Sequence, residues 1–138
     1  MDNQQIQIEI YVEDNSKTKD LLYKTRGYRR DIYVKLQDRF YKMNVFSFTY
    51  LKQFLKNQYE FEKIYCIEAN LLIVKSLSIK EIIATILKEA QNYYFDELKE
   101  CQVKDGEIVY SLDEKTKNSY KEENWALSFP INKLNRIY

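Results

Sequence analysis

The side chains able to do chemistry fall into two charged, aromatic groups. The first lies between Lys17 and Arg30. It holds Lys24, Arg26, Arg29 and Arg30, interleaved with Tyr23 and Tyr28. Cations alternating with flat rings suit a phosphate backbone and its stacked bases. The competing assignment is a solvated turn whose arginines pair with Asp20 and Asp31, and the balanced charge of the whole chain favours it. The second group is acidic: Glu60, Phe61 and Glu62, with Tyr93, Tyr94, Asp96, Glu97 and Glu100. Rings rimmed by carboxylates suit a surface that grips a basic protein. Paired carboxylates also serve glycoside hydrolysis, but acids are common at helix ends and no cleft follows from this spacing.

Other chemistry is excluded by what the chain lacks. It has no histidine, which removes imidazole acid–base catalysis, Ser-His triads and most zinc or iron sites. Its two glycines are too few for a phosphate-cradling loop. Cys66 and Cys101 form no CxxC pair, and each reads as a small reduced hydrophobe. The expectation is a non-enzymatic protein with no catalytic residue, no metal and no cofactor.

Composition sets the frame. At 138 residues, 45% hydrophobic and 31% charged, the chain is sized for one globular domain with a real core. Its 22 basic and 21 acidic residues leave a net charge of +1, which argues against a generic polyanion binder and makes nucleic acid the less favoured partner. No apolar stretch reaches the roughly twenty residues of a membrane span. Met1-Asp2-Asn3-Gln4-Gln5 lacks the basic flank and apolar core of a signal peptide. A cytoplasmic protein without membrane contact is expected.

The elements that must carry these groups follow from periodicity. Ile6, Ile8, Ile10 and Val12 alternate with polar residues as a half-buried strand. Asn15 or Ser16 caps a short helix through about Lys24, with Leu21 and Leu22 inward. After Gly27, Ile32, Val34 and Leu36 mark a second strand, and Gln37-Asp38-Arg39 turns it into an antiparallel third from about Phe40 to Phe46. Ser47 or Thr49 caps a helix presenting Leu51, Phe54 and Leu55. Ile64 to Glu68 reads as a strand, and Ala69-Asn70 as a turn, because Asn tolerates positive φ. Leu71 to Val74 is apolar on both faces and is expected at the centre of the sheet. Ser78 and Glu81 form a capping box for a helix from Ile79 to about Gln91. On it Ile79, Ile82, Ile83, Ile86, Leu87 and Ala90 share one face, with Ile83 and Ile86 expected to be nearly buried against the strand that contains Ile73. Residues from Tyr93 to Leu98 continue that helix or start a short one. A last strand over Glu107 to Leu112 follows the Asp105-Gly106 turn, 113–124 is a loop, and 125–138 docks back as a tail. The class is α+β: a mostly antiparallel sheet with two or three helices packed on one face.

Four stretches carry a resemblance: Arg26-Gly27-Tyr28-Arg29-Arg30-Asp31-Ile32-Tyr33-Val34-Lys35-Leu36, Asn44-Val45-Phe46, Asn70-Leu71-Leu72-Ile73-Val74 and Leu77-Ser78-Ile79-Lys80-Glu81-Ile82-Ile83. In them the chain resembles small bacterial immunity proteins of toxin–immunity clusters, over about residues 5–100. The resemblance implies a protein that binds a cognate toxin domain and neutralises it by occlusion. It transfers no functional residue. The candidates for the binding surface therefore come from the residues themselves: Phe61, Glu62, Tyr93, Tyr94, Asp96 and Glu97. The alternative is a nucleic-acid-associated or regulatory protein using Lys24, Arg26, Tyr28, Arg29 and Arg30.

Overall fold

The computed structural model describes residues 7–62, 69–109 and 128–138, with residues 58–62 described by backbone alone. The expected strand at 64–68, Cys66, residues 110–112 and the loop at 113–124 lie outside the described residues. The order is β1 (Ile8–Val12), α1 (Lys17–Arg26), β2 (Tyr28–Leu36), β3 (Arg39–Ser47), α2 (Phe48–Glu62), β4 (Leu71–Val74) and α3 (Ile79–Gln91). A 3₁₀ turn (Tyr94–Glu97), β5 (Gln102–Lys104), β6 (Glu107–Val109), β7 (Ser128–Pro130) and β8 (Asn135–Arg136) complete it. The class is α+β, as the periodicity predicts.

Two sheets form. The larger has the order β4-β3-β2-β1-β8, antiparallel except for the parallel β3–β4 pair. The smaller is antiparallel, in the order β5-β6-β7. Alternation along β1, β2 and β3 divides the large sheet into two faces. Ile10, Val12, Val34, Met43 and Val45 meet Ile82, Ile86 and Ala90 of α3 in the main core. Tyr33 and Phe40 join Cys101 and Ile108 in a second core, under the small sheet. Burial pushes the Cys101 thiol above its ordinary range.

Local chemistry explains the boundaries. Ser78 Oγ accepts from Glu81 N–H at 3.2 Å and opens α3 at the expected residue. Ser16 does the same for α1 through Lys19 N–H, and Ser47 Oγ accepts from Tyr50 N–H. Gly27 ends α1 at φ 88°, and a Cβ there would stand 2.9 Å from the Tyr50 Cβ, so only glycine serves both the turn and the close approach. Asp105 and Gly106, both at positive φ, close the β5–β6 hairpin.

Three expectations need correction. Leu21 (66% exposed) and Leu22 do not face inward; Tyr23 is the buried residue of α1. The Tyr23 ring lies 4.1 Å from the Arg29 guanidinium, and this contact sets the helix's rotation. Among the described residues β4 lies at the end of the sheet rather than its centre, and Ile73 is 45% exposed. Leu72 and Val74 point into the main core, so Ile73 points away from α3. Accordingly Ile82 and Ile86 are the fully buried isoleucines of α3, and Ile83 is partly buried at the rim of that core.

Candidate protein-binding surface

The end of α3 builds the acidic aromatic group. Asn92 closes the helix through its N–H to Glu89 O. Tyr93 then takes a left-handed conformation, φ 60° and ψ 21°. That region disfavours any residue with a Cβ, by about 1–2 kcal/mol. The reversal throws the Tyr93 ring outward, 77% exposed. The following turn is fixed from beneath. Phe95 is buried with its ring 5.2 Å from that of Tyr41. The Tyr94 hydroxyl donates to Leu71 O, and burial, then the nearby Glu89 charge, raises the Tyr94 phenol's pKa. Asp96 and Glu97 face solvent. Of the adjacent tyrosines, Tyr94 is thus part of the fold and Tyr93 is the presented ring.

Asn70 holds the other end of this loop. Its backbone sits at φ 51°, a conformation Asn accepts more readily than most residues. Its Nδ2 donates to Lys42 O at 3.1 Å and to Lys99 O at 2.8 Å, while Oδ1 accepts from Lys99 N–H at 2.8 Å. One side chain thereby ties β3, the β4 entry and the segment leaving the 3₁₀ turn. Phe61 and Glu62 lie in the last turn of α2, and the described side chains do not include them.

The basic group is mostly committed to the fold. Arg29 is 1% exposed and pairs with Asp31 through Nε–Oδ1 at 2.7 Å and Nη2–Oδ2 at 2.9 Å. Its Nη1 lies 3.6 Å from Asp20 Oδ1. The β2–β3 register breaks between Arg29 and Ile32. Lys24 pairs with Asp20 at 3.1 Å. Arg26 lies 4.0 Å over the Tyr28 ring, with Nε donating to Tyr28 O, and Arg30 lies 4.6 Å from the same ring. Arg29 and Lys24 therefore take the carboxylate pairing of the competing assignment. Arg26, Tyr28 and Arg30 form a stack.

One partly buried cation was not anticipated from the sequence. Lys42 lies under the small sheet, with Nζ donating to Arg30 O and 5.4 Å from the Tyr33 ring. Desolvation lowers its pKa, against the opposing pull of Glu13 and Asp31. Among the described residues no group of three or more His, Cys, Asp or Glu side chains could hold a metal. No helix among them is long and apolar enough to cross a membrane. Comparison of the chain with protein-family models, with curated proteins and with solved structures gave no match.

Proposed function

We propose that this chain is a non-catalytic, cytoplasmic protein-binding protein that neutralises a cognate toxin domain by covering it. Tyr93 carries the reading. A large ring is held in open solvent by a backbone conformation that costs stability. A fold under selection for stability alone would place Gly or Asn there, so the strain points to a use outside the fold. A ring fixed on a rigid turn removes much apolar surface from water on binding and loses little side-chain entropy. Asp96 and Glu97 beside it steer a basic partner and set its orientation.

The test is to identify the partner by pull-down from the native host with the full chain, then to measure titration calorimetry and stopped-flow association against it. Tyr93→Ala is expected to cost about 2 kcal/mol or more of affinity, with the unfolding midpoint no lower than in the parent. Asp96→Lys with Glu97→Lys is expected to slow association at low salt and to change it little at high salt. If Tyr93→Ala binds normally, and charge reversal at Glu62, Asp96 and Glu97 together also leaves binding unchanged, this surface is not the interface.

A further inference from the structure

The near-neutral total conceals a strong division of charge. Residues 17–57 carry eleven Lys and Arg against only Asp20, Asp31 and Asp38, a net of +8, while the rest of the chain carries 11 basic and 18 acidic residues. No acid occurs from Arg39 to Tyr59. An asymmetry of this kind concentrates positive potential on one region and attracts polyanions despite a neutral sum.

Part of that charge is spent inside the fold, at Arg29 and Lys42. The remainder has an outlet along α2. Tyr50 and Phe54 turn that helix inward, with rings 4.8 and 5.4 Å from that of Phe46. Phe48, Thr49, Lys52, Gln53, Lys56 and Asn57 then recur on the opposite side, and all six are exposed. They line an open groove of about 530 Å³. Phe48 is 59% exposed, at the helix's positive N-terminal end. Tyr50 also stacks on Tyr28, 4.6 Å between ring centroids. The Arg26–Tyr28 stack therefore adjoins the first turn of α2, and among the described residues Arg26 has no carboxylate partner.

We propose that the outer face of α2, continued by Arg26 on Tyr28, is a binding surface for a single-stranded nucleic acid. The occupant follows from the chemistry. Lys52, Lys56 and Arg26 neutralise a phosphate backbone. Phe48 offers a free ring face, which stacks on an unpaired base and has no use on a duplex. Thr49, Gln53 and Asn57 supply neutral hydrogen bonds between the charges. The stripe is about 14 Å long at 1.5 Å per residue, the reach of a few nucleotides. This surface is independent of the Tyr93 reading.

The test is fluorescence anisotropy of the full chain with a fluorescein-labelled 15-nucleotide oligothymidylate. Three neutralised phosphates predict a log–log salt slope of about −2, a loss of about 20-fold between 50 and 200 mM salt. Lys52→Glu with Lys56→Glu abolishes binding at 200 mM salt, and Phe48→Ala weakens it about tenfold. All three side chains are exposed, and thermal unfolding of each variant shows that the fold is kept. The proposal is overturned if the oligomer does not bind at 50 mM salt, or if the double lysine variant binds as the parent does. It is also overturned if duplex DNA or phosphatidylglycerol vesicles bind more tightly than the single strand. Binding unchanged by Phe48→Ala would mean an adventitious polyanion contact and overturns it as well.

Discussion

Asn70 offers the sharpest test of how the fold holds its candidate surface. Its side chain makes three hydrogen bonds, to Lys42 O, Lys99 O and Lys99 N–H. Each contributes about 1 kcal/mol net, less where water can replace it, and both partners on Lys99 are near solvent. Asn70→Gly removes all three while keeping the φ of 51° accessible. The expected loss is about 2 kcal/mol. Asn70→Ala removes the same bonds and adds the Cβ penalty of the left-handed region, for about 3 kcal/mol. Urea melts give the free energies, and for a chain of this size the glycine variant should melt about 4–8 °C lower. Hydrogen exchange gives the local readout: the Lys99 amide should lose protection in both variants, well before the amides of β2. If Asn70→Gly costs less than about 0.5 kcal/mol and Lys99 keeps its protection, the clamp does not exist in solution. If glycine and alanine cost the same, the backbone part of the reasoning is wrong.

Other outcomes test other parts of the fold. Ile86→Ala should cost about 2–5 kcal/mol in denaturant melts, and Ile83→Ala clearly less, because Ile86 is fully buried and Ile83 is at the rim; equal costs would mean α3 is rotated. Ser78→Ala should cost about 1 kcal/mol through the lost bond to Glu81 N–H, and Ser78→Asn should restore most of it. Asp14 accepts from Ser16 N–H at 2.8 Å, which holds its pKa below the ordinary value of 3.8. A lowered carboxylate pKa gives stability that is present above the unfolded value and lost as pH falls through the folded one. Asp14→Ala should therefore shrink the drop in urea midpoint between pH 5 and pH 3; an unchanged drop refutes the assignment.

Legibility in the sequence tracked how local the determining forces were. The alternation in Ile8–Val12 and in Ile32, Val34 and Leu36 reports one buried face, and it placed β1 and β2 correctly. The Ser78 cap and Asp105-Gly106 carry their own hydrogen bond or backbone preference, and both were readable. Leu21 and Leu22 misled because the phase of α1 is set by Tyr23 against Arg29, a contact between two elements. The run Leu71–Val74 misled because continuous apolarity signals a central strand only when both faces are covered, and Ile73 is not. β5 is exposed at all three positions, so no burial pattern marks Gln102–Lys104.

The two candidate surfaces differ in the same way. Arg29 and Arg26 stand three residues apart in one basic segment, yet Arg29 is closed in by Asp31 and Asp20 while Arg26 lies over Tyr28 at the surface. Counting charges cannot separate them, because Arg29 lies in β2 beside Asp31 while Arg26 ends α1 at the surface. Tyr93 and Tyr94 are indistinguishable by type, and the left-handed step at Tyr93 sends one ring out and the other to Leu71. That step has no glycine to announce it. Its cost is met by Phe95, Tyr94 and Asn70, which fix the chain that follows it. Substituting Tyr93 with Asn should therefore ease the backbone and keep every one of those contacts, so a variant that is as stable as the parent but fails to bind would separate what the residue does for the fold from what it does for a partner.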